Sequence, residues 1–155
     1  MLSGLTAPWT SEMRAPNKRV GCIYEQAFFV EALRHGLDVF QPIGDYLPVD
    51  CLTMNGAGKV FKVQIKGSAK VIINGDRDVV GRYKVVTSTG QYAKKPIDCT
   101  KVDIVAAYCA ADNAWYLIPC MEIDSAKTIS LAPHNPKSKG KHEKYREAWE
   151  IFKTT

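Results

Sequence analysis

Residues 102–119, VDIVAAYCAADNAWYLIP, hold two runs that are apolar at nearly every position, separated by AADN. A strand apolar on both sides has to be covered on both faces. The pair predicts a hairpin whose first strand, KVDIVAAYC, lies at the centre of a sheet. Only a layered architecture, with elements packed above and below that sheet, accommodates it.

The remaining chain supplies such layers. From Asn17, a plausible N-cap, the apolar residues Val20, Ile23, Ala27, Val30 and Leu33 recur at helical spacing, and Gly36 marks a stop. LDVFQP predicts a short strand ended by Pro42. YLPVDCLT and KVFKVQIK predict two strands joined by the turn MNGAG. VIINGDRDVVGRYKVVTST predicts a strand, a turn at Gly75–Asp76 and a second strand. HEKYREAWEIFK predicts a closing helix with Tyr145, Ala148, Trp149 and Phe152 on one face. The expected class is α/β, a mixed central sheet flanked by helices. Residues 17–155 are expected to form one domain. Residues 1–16 are expected as an extended arm, with Trp9 either covering an edge of the fold or meeting a partner.

Composition excludes several classes. The chain of 155 residues has a net charge of +5 and a pI near 8.9, which suits a nucleic-acid partner without requiring one. Cys22, Cys51, Cys99, Cys109 and Cys120 show no CxxC spacing. They read as small buried hydrophobes in a reducing compartment, with no structural zinc. No apolar run reaches the roughly 20 residues of a membrane span, and MLSGLTAPWTSEMR lacks the pattern of a signal peptide, so a cytoplasmic protein is expected. His35, His134 and His142 have no ligand spacing, and Gly56 and Gly58 sit between strands rather than in a phosphate loop.

The chemistry concentrates in PVDCLTMNGAGKVFKVQIKGS, residues 48–68. Alternation puts Phe61, Val63 and Ile65 on one face of the second strand and Lys62, Gln64 and Lys66 on the other. Asp50, Gln64 and the Ile65 carbonyl are oxygen donors of the kind that hold a hard divalent cation, Mg²⁺ with Mn²⁺ as a substitute. Lys66 would hold an attacking water and stabilise charge on a phosphate. Glu25, beside the apolar stripe of the first helix, could reach the same point, directly or through water. The alternative reading of the hairpin is structural: Asp50 caps a turn or forms an ion pair with Lys66.

The PVD and QIK segments, with the upstream helix GCIYEQAFFVEALRHG, resemble the PD-(D/E)XK nuclease superfamily. PVD matches the first motif acid, and QIK stands where that superfamily has (D/E)-x-K. RYKVVTSTG and VDIVAAYCAADNAWYLIP resemble the later strands of its Gln-x-Lys branch, which includes bacterial intron-encoded homing endonucleases. Archaeal Holliday junction resolvases are cousins. The resemblance implies a restriction-endonuclease-like core and a Mg²⁺-dependent enzyme cutting double-stranded DNA. Glu25, Asp50, Gln64 and Lys66 would be its catalytic residues. It further implies a homo-oligomer acting in the nucleoid-associated or phage-infected host cytoplasm. A junction resolvase and a non-catalytic DNA-binding or inhibitory module are the alternatives. Gln64 departs from the usual acid and leaves the site one negative charge short. Candidate DNA contacts are Ser68 and Lys70 at the end of the motif strand, Tyr92, Lys94 and Lys95 in GQYAKKP, and Lys137, Lys139 and Lys141 in PHNPKSKGKHEK, where Lys144 follows.

Overall fold

The structure is a computed structural model that describes residues 17–72, 81–90 and 92–155. The expected N-terminal arm with Trp9 and the Gly75–Asp76 turn lie outside the described residues.

Helix α1 runs from Asn17 to Arg34. It stops where the sequence predicts. Gly36, at φ 75°, donates its N–H to the Leu33 carbonyl, and Leu37 donates to that of Ala32 (both 3.0 Å). This is the Schellman arrangement, which needs a residue free to adopt positive φ. The buried face differs from the expected one. Tyr24, Phe28, Phe29 and Ala32 are buried, whereas Val30 and Leu33 are 36% and 59% exposed. Val20 and Ala27 only flank the core. The surface that α1 meets is aromatic: Phe28 packs edge-on against Trp115 (5.5 Å between ring centroids) and stacks on Trp149 (5.7 Å). Large rings from distant parts of the chain therefore select the helix face, overriding the Val/Ile/Leu spacing.

Strands β1 (Asp38–Phe40), β2 (Cys51–Met54), β3 (Val60–Ser68), β6 (Ile104–Cys109) and β7 (Ala114–Pro119) form a mixed sheet in the order β1-β2-β3-β6-β7. Pairing is antiparallel except between β3 and β6, which run parallel from Val63↔Ile104 to Ser68↔Cys109. As expected, every residue of β6 is buried. Ile104, Ala106 and Tyr108 face the core under α1. Val105, Ala107 and Cys109 face a second core. That second core lies beneath the antiparallel sheet β4 (Val71–Ile72), β5 (Arg82–Val86) and β8 (Thr128–Leu131), ordered β4-β5-β8. Strand β8 is missing from the sequence reading, although TISL alternates and begins with a β-branched pair. The short helix α2 (Cys120–Ile123) follows β7 directly.

Two further expectations are corrected. HEKYREAWEIFK is not one helix. It forms two 3-10 segments, Glu143–Tyr145 and Trp149–Lys153, broken at Glu147, whose φ is 50°. Glu147 donates its N–H to the Trp115 carbonyl (2.7 Å). Its carboxylate accepts from the Trp115 N–H (2.7 Å) and from Trp149 Nε1 (2.8 Å). Bonds to the edge of β7 thus replace those a continuous helix would make. The expected face does survive in part: Ala148, Trp149 and Phe152 are buried. The cysteines are not all separate thiols. Cys99 and Cys120 form a disulfide with Cα atoms 5.5 Å apart, and Cys22 is exposed; Cys51 and Cys109 are buried as expected. The two cysteine segments meet there because Cys120 N–H donates to the Asp103 carbonyl (2.8 Å), pinning α2 beside the loop that precedes β6.

Phe28, on α1, is fully buried against two tryptophans. Phe28→Ala is expected to cost about 3–5 kcal/mol of stability, because a ring-sized cavity among other rings cannot collapse. Urea unfolding checks this; a loss below about 1 kcal/mol would mean that α1 does not close the core.

Candidate active site

The turn after β2 locks the hairpin that carries the motif. Asn55 Oδ1 accepts from the N–H groups of Ala57 and Lys59 (both 3.0 Å), and its Nδ2 donates to the Phe152 carbonyl (2.8 Å). The register that follows pairs Cys51 with Val63. Asp50, one residue before β2, then bonds to β3 twice. Its N–H donates to the Val63 carbonyl (3.0 Å), and its Oδ2 accepts from the Ile65 N–H (2.6 Å). The two bonds bracket Gln64. Asp50 is thus satisfied by backbone rather than by Lys66, and the simple ion-pair alternative is not what the residues form.

Alternation along β3 is as expected. Phe61, Val63 and Ile65 enter the core under α1. Gln64 is buried, and its Oε1 has no hydrogen-bond partner. A buried amide oxygen left without a donor is costly unless another group completes it. Lys66 is partly buried. Burial lowers its ammonium below the ordinary lysine value, and the Lys94 charge pushes the same way, against Asp50 and Glu25.

Glu25 is brought in by a close approach. A Cβ on Gly67 would stand 2.5 Å from the Tyr24 ring, so only glycine lets α1 lie this close to β3 just past Lys66. Glu25, the next residue after Tyr24, lines a cleft of about 470 Å³ together with Asp50, Asp45, Lys18 and Cys22. Burial raises the Glu25 carboxyl above its ordinary value, helped by Asp50 and Asp45 and opposed by Lys66. Asp50 is likewise raised, mainly by burial, against the Ile65 hydrogen bond and Lys66. The neighbouring Cys51 thiol is pushed up to about 12 by burial and by both acids, so it stays protonated. Glu25, Asp50 and Lys66 therefore feel one another's charge.

Sequence reasoning misses Asp45 and Lys18. Asp45 sits in the irregular loop between β1 and β2, where no periodicity points to it. Lys18 lies one turn before Cys22 on the cleft side of α1.

The candidate DNA contacts divide into two groups. Lys94 is exposed yet near enough to act on Lys66. It belongs to a tight loop closed by two bonds between Thr89 and Lys95 (2.8 and 2.9 Å), with Tyr92 95% exposed. Ser68 and Lys70 continue the motif strand, Ser68 Oγ accepting from the Lys70 N–H (3.3 Å). Lys137, Lys139 and Lys141 are exposed elsewhere, on a loop held by Arg146 to the Pro133 carbonyl (2.6 Å) and by His134 to Asp112 (3.4 Å). Among the described residues no hydrogen bond or ion pair links that loop to the cleft.

The structure thus has an acid clasped to a strand, a lysine two residues beyond the bracketed Gln64, and a glutamate on the packed helix whose charge acts on both. Residues 15–152 match the PD-(D/E)XK endonuclease family, and the chain belongs to that family. Its mixed sheet with flanking layers is the restriction-endonuclease-like fold. The chain is similar to the solved structure of a bacterial homing endonuclease, I-Ssp6803I. Identity is 26% and the TM-score 0.73, over 90% of this chain and 95% of that one. A search among curated proteins finds no match. Among the described residues no helix is long and apolar enough to cross a membrane.

Proposed function

We propose that the protein is a metal-dependent DNA endonuclease of the homing type, hydrolysing phosphodiester bonds in double-stranded DNA. The observation that carries this reading is the clasp of Asp50 on β3, with Asp50 and Glu25 lining one cleft and Lys66 close enough for its charge to act on both carboxyls. The similarity to I-Ssp6803I favours site-specific cleavage over junction resolution. One site cuts one strand, so a double-strand break calls for a dimer or larger homo-oligomer. Residues 17–155 would act as one nuclease domain. DNA as substrate favours the cytoplasm, although the Cys99–Cys120 bond removes the support once drawn from unpaired cysteines.

The residues present fit a hard cation. No group of three or more His, Cys, Asp or Glu among the described residues is placed to hold a metal. The donor set is instead mixed and all-oxygen: Asp50, the unpartnered Gln64 Oε1 and the Ile65 carbonyl, with Glu25 through water. Such donors suit Mg²⁺ or Mn²⁺ rather than zinc. When bound, the cation would supply Lewis acidity toward the scissile phosphate and a more acidic water. Asp50, held by Ile65, needs no reorganisation to serve as a donor. Lys66 orients the water and offsets charge on the phosphate, and its lowered pKa makes its proton easier to share. Lys94 and Lys95 would hold the backbone beside the cut.

Incubation of supercoiled plasmid, linear duplex and four-way junction, each with and without Mg²⁺, tests the reading. Cleavage of duplex only with Mg²⁺ is expected. Cleavage confined to the junction would favour a resolvase, and binding without cleavage a non-catalytic module. Gln64→Glu is expected to tighten Ca²⁺ binding to the free protein, because it adds a charge at nearly unchanged shape. Equal calorimetric affinities for wild type and variant would remove Gln64 from the donor set.

A further inference from the structure

The loop that carries Lys94 and Lys95 stands on two stems that are fastened differently. The first is held by backbone bonds. Thr87 and Ser88, both buried, donate their N–H groups to the Lys127 carbonyl (3.0 and 3.1 Å), and Thr87 Oγ1 donates to the Ala126 carbonyl (2.6 Å). Both carbonyls lie shortly after α2. The second stem reaches the start of α2 through the Cys99–Cys120 bond. Ile97 packs in the second core beside it. Its hydrogen bonds, however, only close its own turn: Asp98 accepts from the N–H groups of Thr100, Lys101 and Val102 (3.0, 3.0 and 3.2 Å). Among the described residues, no hydrogen bond joins residues 96–100 to α2.

The loop itself is tightly closed. Thr89 and Lys95 exchange two backbone bonds, and a Cβ on Gly90, at φ 96°, would meet the Ala93 carbonyl oxygen at 2.3 Å. A loop closed in this way turns as a unit on its stems, so the placing of Lys94 and Lys95 depends on both. The charge of Lys94 reaches Lys66, which puts this loop within range of the candidate site. Cys99 is only partly buried and stands between the exposed Asp98 and Thr100, so a small thiol can reach it, whereas Cys120 is buried.

We propose that the Cys99–Cys120 bond is a redox-sensitive tether: intact, it fixes the loop on which Lys94 and Lys95 meet DNA phosphates, and its reduction by a dithiol loosens that grip. The inference rests on the DNA endonuclease reading and adds to it a control on binding. One thiolate of the dithiol attacks Cys99 Sγ, and Cys120 leaves as a thiolate that takes up a proton. The second thiol then displaces Cys99, which is protonated in turn. Two electrons pass to the protein, leaving two cysteine thiols and a cyclic, oxidised reductant.

The test measures duplex binding over a range of salt, in Ca²⁺, for the oxidised protein and for protein held in dithiothreitol. Reduction is expected to weaken binding about tenfold and to lower the slope of log affinity against log salt by about 1–2, at roughly 0.9 per lost phosphate contact. Cys99→Ser/Cys120→Ser should match the reduced protein and ignore dithiothreitol; if it does not fold by circular dichroism, Cys99→Ala alone takes its place. In Lys94→Ala/Lys95→Ala the difference between the two redox forms should vanish. Equal affinity and slope in both forms of wild type overturn the tether and leave the nuclease reading standing. So does a redox effect that survives in the lysine variant, since reduction would then act elsewhere in the fold. An effect that survives in the cysteine variant points to another thiol and overturns it too. Absence of any DNA binding or cleavage by either form removes the endonuclease reading, and the tether's role with it.

Discussion

Asp50→Asn is expected to lower cleavage by about 10³-fold or more while making the metal-free protein more stable. The rate loss follows from removing the one anionic donor on the hairpin, since the charge stabilisation it supports is worth several kcal/mol. The stability gain follows from burial. The Asp50 carboxyl is raised above its ordinary value, chiefly by desolvation, and Glu25 beside it is raised for the same reason. A raised carboxyl means that the folded state binds the proton more tightly than the unfolded chain does. The stability it contributes is present below the unfolded pKa and is lost as pH rises through the folded value. At neutral pH the ionised pair therefore opposes folding. Asn still offers an oxygen to the Ile65 N–H, so the clasp on β3 survives. Melting temperatures in chelator from about pH 4 to pH 8 check this. Wild type should lose stability across the acid end of that range, and the variant should lose less. A variant less stable than wild type at neutral pH would show that the carboxylate is structural, and undiminished cleavage would remove Asp50 from the site.

Lys66→Met is expected to lower the single-turnover rate by about 10²–10³-fold, the scale for losing one preorganised group that meets transition-state charge. DNA affinity should change little, because one phosphate contact among several is removed. The variant should also push the Asp50 carboxyl higher, since Lys66 is one of the groups that hold it down. Carboxyl titration by NMR reads that shift independently of activity. A large loss of affinity at an unchanged rate would make Lys66 a binding residue only.

The parts of this architecture legible in the sequence are those with a short period. The alternation of β3 separated Gln64 and Lys66 from Val63 and Ile65, and the structure keeps that division. The apolar run of β6 announced a strand buried on both faces, and Gly36 announced the end of α1. Where a local pattern competed with distant partners, the partners prevailed. The Val20-to-Leu33 spacing is a helical period as good as the true one. Yet α1 turns Tyr24 and Phe28 inward, because Trp115 and Trp149 wait on the surface it meets. The periodic HEKYREAWEIFK is interrupted at Glu147 by its bonds to Trp115 and Trp149. Cys99 and Cys120 lie 21 positions apart with no motif spacing, and only the pinning of α2 beside the β6 loop joins them.

The candidate site divides along the same line. Asp50, Gln64 and Lys66 could be read from the chain because strand geometry fixes side-chain direction every second residue, whatever the rest of the protein does. Glu25, Asp45 and Lys18 reach the cleft only through packing: the bare Cα of Gly67 admits Tyr24, and the β1–β2 loop folds back over α1. The raised Glu25 carboxyl arises there too, since desolvation depends on which surfaces close over a group, and no period in the sequence records that.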